Sequence, residues 1–366
     1  MDKHSKIYVA GHTGLVGSAI MRRLKADKYQ NLIFRSHADL DLTRQKEVED
    51  FFQTEKPAYV ILAAAKVGGI MANSTYPADF IYSNLVIQTN VIHAARQTGV
   101  KRLLFLGSSC IYPRECPQPM KEAYLLTGPL ESTNEPYAIA KIAGIKMCQS
   151  YNRQYRTRFL AVMPTNLYGP NDNFDLKTSH VLPAMIRKFH LAKLAAAGDW
   201  QSIDRDEKKY GAIPDDFRFS LISISRSAGH TVSIPNNISL PAPAVPIWGS
   251  GTPRREFLYV DDLADACLFL VNSPDPTFNS LINDSKVPLI NIGCGQDHTV
   301  RELSNLIRNI VDFHGETIFD PAKPDGTPQK LLDISKIANM GWKPTLSFQQ
   351  GIQNTYRWYL ANQIDY

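Results

Sequence analysis

Short apolar runs of strand length recur along the first half of the chain, each followed by a stretch with helical spacing. Lys6–Ala10, Leu32–Phe34, Tyr59–Ala63, Arg102–Leu106 and Phe159–Val162 are nearly continuous apolar segments. Strands of that kind are needed by a sheet buried on both faces. The segments Asp79–Gln97 and Tyr137–Gln154 between them carry helical periodicity. Strands alternating with helices predict an α/β fold with a parallel, doubly wound sheet. After about residue 170 Pro, Asn and Gly become frequent and the strand signals shorten. The expected organisation is a nucleotide-binding domain over 1–170 and a smaller C-terminal substrate-binding lobe over 171–366, with some later segments returning to the sheet. From about Gly198 to Ala244 no helical period is sustained. This stretch reads as an inserted loop, lying near the ligand or as a surface excursion.

Composition narrows the function classes. The 366 residues are 44% hydrophobic and 20% charged, ordinary values for a globular protein. No apolar run is long enough to cross a bilayer, and no signal-peptide pattern opens the chain. The expected location is therefore the cytoplasm, without membrane partners. The net charge of +5 is spread along the chain and accompanies no nucleic-acid-binding motif, so no nucleic-acid partner is expected. Five cysteines, with no Cys-x-x-Cys pair, suggest neither a disulfide framework nor a metal site. From composition alone each is an ordinary buried thiol.

Candidate chemistry begins directly after the first strand, at Gly11-His12-Thr13-Gly14-Leu15-Val16-Gly17. Glycines with this spacing permit a tight turn and close approach to a pyrophosphate, and the following helix offers its N-terminal N–H groups. Strand, glycine loop and helix in that order predict a Rossmann-type dinucleotide site. An NAD site usually has an acid at the end of the second strand; here the sequence reads Arg35-Ser36-His37. Arg35 can meet a 2′-phosphate, which favours NADP(H), or it is a plain surface arginine.

A second constellation lies downstream. Tyr137 and Lys141 are one helical turn apart, so they share a helix face. An ammonium beside a phenol is expected to lower the phenol's pKa, and the phenol can protonate a carbonyl oxygen as hydride reaches its carbon. With 16 tyrosines in the chain, such a pair alone is weak. Its setting is stronger. Ser108 follows the strand that ends at Leu106, and Pro164-Thr165-Asn166-Leu167 ends the next one. Both fall at the carboxyl edge, where a dinucleotide binds.

These residues resemble the extended short-chain dehydrogenase/reductases. Longer strings are similar to the GDP-L-fucose synthases: Ala63–Ile70, Thr75–Ile81, Gly107–Pro113, Asn134–Lys141, Asn171–Phe174, Trp248–Pro253 and Lys323–Pro328. The resemblance covers nearly the whole chain except 198–244. It implies epimerisation of GDP-4-keto-6-deoxy-D-mannose at C3 and C5, then NADPH-dependent reduction of the C4 ketone. Ser108, Tyr137 and Lys141 would carry the reduction, and Cys110 and His180 the proton transfers. A thiol near pKa 8.5 and an imidazole near about 6.5 both exchange protons around neutral pH. The implied cofactor contacts are Gly11, Thr13, Gly14, Leu15, Val16, Gly17, Arg35, His37, Leu40, Asp41, Ala64, Leu106, Tyr137, Lys141, Pro164, Asn166, Leu167 and His180. The implied GDP-sugar contacts are Lys188, Trp248, Arg255 and Asp325, with Arg187 as a second cation for the diphosphate. The resemblance also implies a homodimer paired through 79–97 and 137–154, and no metal.

Three positions depart from the family pattern. Thr13 and His37 stand where arginines are common near the 2′-phosphate, and Lys188 stands where arginine is frequent. Two other readings fit the sequence: an epimerase/reductase on another GDP-4-keto sugar (colitose or heptose pathway), and an inactive nucleotide-sugar-binding scaffold. The intact Ser108, Tyr137 and Lys141 set argues against the scaffold.

Overall fold

The computed structural model describes residues 1–233, 239–283, 287–323 and 325–363. Along the first half the principal elements are β1 (Ile7–Ala10), α1 (Leu15–Ala26), β2 (Leu32–Ile33), β3 (Tyr59–Leu62), α2 (Pro77–Gln97), β4 (Arg102–Leu106), α3 (Glu135–Tyr155), β5 (Phe159–Pro164) and β6 (Asn166–Tyr168). The second half adds α4 (Val181–Ala196), α5 (Trp200–Tyr210), α6 (Asp215–Ser227), β7 (Ala244–Trp248), β8 (Arg254–Tyr259), α7 (Val260–Asn272), β9 (Leu289–Ile292), α8 (Val300–Val311), β10 (Glu316–Asp320) and α9 (Phe348–Ala361). The chain forms two compact units. The first contains 1–171, 256–296 and 330–346; the second contains 172–255, 297–329 and 347–366.

The first unit is built on a six-stranded sheet in the order β2-β1-β3-β4-β5-β9. Every neighbouring pair is parallel. Alternate side chains of each strand enter opposite layers. Ile7, Val9, Leu104 and Leu160 pack with Ile20 and Leu24 of α1 and Leu263 and Leu270 of α7. Tyr8, Val60, Leu103 and Phe159 pack with Val91 and Ile92 of α2 and Ile142 and Ile145 of α3. This two-sided burial explains the continuous apolar strands. The strand order reverses between β1 and β3, which opens a crevice at their carboxyl ends.

In the second unit α4 packs on α5, α6 and α8, while α6 also packs on β7. Strands β7 and β10 pair in parallel, with Ala244 opposite Glu316 and Trp248 opposite Asp320. The expected loop over 198–244 is corrected here, because its first half is helical. Asp199 caps α5 by accepting the Ser202 N–H at 3.0 Å. In α6 the buried residues Phe217, Leu221 and Ile224 recur at helical spacing. The Ser/Ile alternation in that stretch resembled a strand and hid this period. Residues 234–238 of the expected loop lie outside the described residues.

Candidate active site

The glycine loop lies at the crevice between β1 and β3. Gly11 has φ +83°, and a Cβ there would stand 2.8 Å from the Ala64 backbone. A Cβ on Gly17 would stand 2.0 Å from the Gly11 carbonyl oxygen. These two positions therefore exclude any side chain. Gly14 is the N-cap of α1 and supplies no side-chain cap. The first-turn N–H groups, including those of Leu15 and Val16, are thus left for a phosphate. This cradle fits the pyrophosphate of a dinucleotide.

The adenosine end is less basic than the sequence suggests. Arg35 donates to Glu55 at 2.6 Å and to the Phe34 carbonyl at 2.8 Å. Thr13 is exposed, and the His37 imidazole stands 3.9 Å from the Asp41 carboxylate. Asp41 accepts from the N–H and hydroxyl of Thr43. Leu40 is buried. On the other side of the sheet, Asn166 donates to the Glu256 carbonyl at 2.8 Å, and Leu167 pairs with Leu258 through β6 and β8.

The polar cluster of the first unit forms where β4 ends. Ser108 caps a short 3-10 turn over Ser109–Ile111, and its Oγ accepts the Cys110 N–H at 3.5 Å. The Cys110 thiol is buried, and burial pushes its pKa up, while the Ser108 hydroxyl, Lys330 and Lys141 pull it back. On α3, Tyr137 and Lys141 share a face. The Lys141 ammonium is 3% exposed and donates to the Leu106 carbonyl at 2.8 Å. That bond ties α3 to the carboxyl end of β4. Burial lowers the Lys141 pKa to about 8, with Cys110 opposing.

One expectation is reversed. Tyr137 is pushed well above the ordinary phenol value, first by burial and then by Cys110. Its ring centroid lies 5.6 Å from the Lys141 ammonium, and the lysine spends a hydrogen bond on Leu106. The phenol is therefore held protonated, the form needed by a general acid. Phe80 of α2 meets its ring edge-on at 6.4 Å. The structure thus brings Ser108, Cys110, Tyr137 and Lys141 together in the first unit.

His180, Lys188, Trp248, Arg255 and Asp325 belong to the second unit. His180 is exposed and is the N-cap of α4. Lys188, on α4, donates to the Pro246 carbonyl at 2.9 Å, and burial lowers its pKa to about 8. Trp248 ends β7 with 45% of its surface exposed, and Lys323 stands 5.3 Å over its ring. Arg255 donates to the Asp325 carbonyl at 3.2 Å. The Asp325 carboxylate accepts the Ser250 N–H at 2.7 Å and its hydroxyl at 2.8 Å. Trp248, Arg255 and Asp325 therefore converge on one loop cluster.

Arg187 does not join them, which corrects its assignment to the diphosphate. It is fully buried. Its Nε donates to Asp206 of α5 at 2.7 Å, and its other nitrogens donate to the carbonyls of Phe174, Tyr210 and Gly211. Asp206 also accepts from the Tyr359 hydroxyl and from Gln363.

Two features had no sequence signal strong enough to find. The Lys188 ammonium stands over the Phe217 ring of α6, and the neighbouring Asp216 accepts the Phe217 N–H. Glu256 is fully buried and accepts the N–H groups of Cys294, Gly295 and Leu332 at 2.6–2.9 Å. A lone acid in a β-strand announces no such role. Among the described residues no helix is long and apolar enough to cross a membrane, and no group of His, Cys, Asp and Glu could hold a metal.

The parallel sheet, its glycine loop and the Ser108, Tyr137 and Lys141 cluster define an extended short-chain dehydrogenase/reductase. A family profile described as the NAD dependent epimerase/dehydratase family matches residues 7–205 and 225–283. GDP-L-fucose synthase 1 of Arabidopsis thaliana is 52% identical over 99% of this chain and 95% of its own length. GDP-L-fucose synthase of Escherichia coli K12 is 46% identical over 98% and 97%. A crystal structure of a GDP-D-glycero-L-gluco-heptose synthase from Campylobacter jejuni, in the presence of NADPH, is 40% identical with a TM-score of 0.84, covering 98% of this chain and 99% of that one. The chain belongs to the NAD dependent epimerase/dehydratase family and, within it, to the GDP-L-fucose synthase group.

Proposed function

We propose that the chain converts GDP-4-keto-6-deoxy-D-mannose to GDP-L-fucose, using NADPH. The observation that carries this reading is the placement of the Cys110 thiol against Ser108 and beside Tyr137 and Lys141. A plain ketone reductase needs the last three and has no use for the thiol. A thiol at the same carbonyl is suited to moving protons at the carbons next to it. Curated relatives named GDP-L-fucose synthase at 46% and 52% identity support the same substrate.

The residues then divide the work as follows. The Ser108 and Tyr137 hydroxyls donate to the C4 carbonyl oxygen, which withdraws electrons and acidifies the protons at C3 and C5. Cys110 and His180 form the acid and base pair, one removing a proton and the other returning one to the opposite face. Tyr137 gives its proton to the C4 oxygen during reduction, and the buried Lys141 keeps positive charge beside the phenolate left behind. The bound nicotinamide supplies the hydride that reaches C4. Gly11 to Gly17 would hold its pyrophosphate, and Arg35 and His37 would stand nearest the adenosine. Lys188, Arg255, Trp248 and Asp325 would take the GDP part of the substrate.

The assembly we propose is a homodimer in the cytoplasm, paired through α2 and α3. Tyr76 and Tyr82 in that region are 57% and 65% exposed. Sedimentation of the pure protein at a monomer mass would remove this part. A second reading, synthesis of a GDP-heptose, is favoured by the Campylobacter neighbour. Incubation with GDP-4-keto-6-deoxy-D-mannose and NADPH separates the two. NADPH should be consumed, GDP-L-fucose should form, and in heavy water deuterium should enter C3 and C5. Consumption with no deuterium at either carbon would leave a reductase alone. No consumption would sink the proposal.

A further inference from the structure

Two consecutive basic residues of α4 each meet a different helix of the 198–244 segment. Arg187 turns toward α5 and is consumed there by Asp206. Lys188, about 100° further round the helix, turns toward α6 and β7. Phe217, 2% exposed, lies with its ring centroid 5.3 Å from the Lys188 ammonium. Asp216 is the charge that acts on that ammonium, and its carboxylate accepts the Phe217 N–H at 2.8 Å. The Pro246 carbonyl takes one N–H of the ammonium, which has three to give. Pro246 and Trp248 are two residues apart on β7, hence on one face of the strand.

We propose that Phe217, its backbone N–H held by the Asp216 carboxylate, is a positioning residue for the substrate. It holds the Lys188 ammonium against the Pro246 carbonyl of β7, where its remaining N–H groups meet the diphosphate of the nucleotide sugar. The inference rests on the GDP-sugar reading given above. Lysine is a point charge on a flexible stem, so it needs a wall to fix it where an arginine's planar fork is already stiff. Phe217 supplies the wall, and Asp216 fixes the backbone of that wall by accepting the Phe217 N–H. Both residues fall in the 206–224 gap between the two stretches matched by the family profile.

The test uses the full-length protein with Phe217→Leu, Phe217→Tyr, Asp216→Asn and Lys188→Ala. Kd for GDP, KM for the keto sugar, KM for NADPH, kcat and Tm are measured for each. Phe217→Leu should raise the GDP Kd and the sugar KM about fivefold, roughly 1 kcal/mol. Its kcat and NADPH KM should stay within about twofold of wild type, as for a lost binding contact. Phe217→Tyr should restore the affinity, and Asp216→Asn should weaken it by about two- to threefold. In the Lys188→Ala background, Phe217→Leu should add nothing. Unchanged GDP affinity in Phe217→Leu, additive effects with Lys188→Ala, or a parallel fall of kcat and both affinities with Tm would each overturn the proposal. If wild type binds GDP without turning over the keto sugar, the function reading fails, while the GDP series still decides this one.

Discussion

The two units hold their functional side chains by different means. In the first, the sheet does the holding. Lys141 is bonded to the last carbonyl of β4, Ser108 caps the turn that follows that strand, and Gly11 touches the chain leaving β3. In the second, the packed helices α5 and α6 do it. Arg187 is fixed by Asp206 of α5, and Lys188 is covered by Phe217 of α6. A regular sheet fixes chemistry through backbone geometry and leaves side-chain identity to the reaction. Packed helices fix it through side-chain pairs, so each pair is a point where the site can be retuned or broken.

The contrast can be broken at its strongest point first. Tyr137→Phe removes the proton donor and leaves the ring packing, so kcat for NADPH oxidation should fall about 10³-fold with Tm unchanged. Full activity would move the acid elsewhere. In the second unit the largest effect should be on stability. Arg187→Ala leaves Asp206 buried without its cation and should cost about 3–5 kcal/mol, read by urea denaturation. Replacing both partners, as in Arg187→Met with Asp206→Leu, should recover only part of that loss, because the Phe174, Tyr210 and Gly211 carbonyls and the Tyr359 hydroxyl still lose their partners. A stable single variant would mean that α5 is not keyed to α4 through this pair.

Proton chemistry gives a further test. Burial holds the Cys110 thiol above its ordinary pKa, so near neutral pH the base form is scarce and grows with pH. Deuterium uptake into the keto sugar without NADPH should rise about tenfold per pH unit between roughly pH 6 and 8 if Cys110 is the base. A flat profile that Cys110→Ser leaves unchanged would assign removal of the proton to another group. The smallest effect concerns the adenosine end. Glu55→Gln should release Arg35 and lower KM for NADPH by about two- to threefold relative to NADH, the size of an exposed ion pair. No change in that ratio would leave Arg35 without a part in cofactor choice.

Much of the first unit was legible because its signals are local. The apolar runs mark strands buried on both faces, the glycine loop follows β1 directly, and Ser108 and Asn166 sit next to strand ends. What was not legible there is electrostatic. The Tyr137 and Lys141 spacing suggested a lowered phenol pKa, but the lysine is turned to Leu106 and burial dominates. In the second unit the sequence misled more. The serines of α6 alternate with isoleucines and imitate a strand, although Phe217, Leu221 and Ile224 give the helical face. Arg187 looked like a phosphate ligand because its partner Asp206 lies 19 residues on, in α5, and pairs with it only in three dimensions. Glu256 is legible only once the N–H groups of Cys294, Gly295 and Leu332 surround it.

The buried pair between Arg187 and Asp206 also sets the order in which this part of the second unit can come apart. Four of the contacts of Arg187 end on Asp206, Phe174, Tyr210 and Gly211, three of those residues lying in α5 or directly after it. Pulling α5 away from α4 therefore gives up the ion pair and two carbonyl bonds in one step. The two helices should open as one cooperative block, with their most protected amides exchanging hydrogen together.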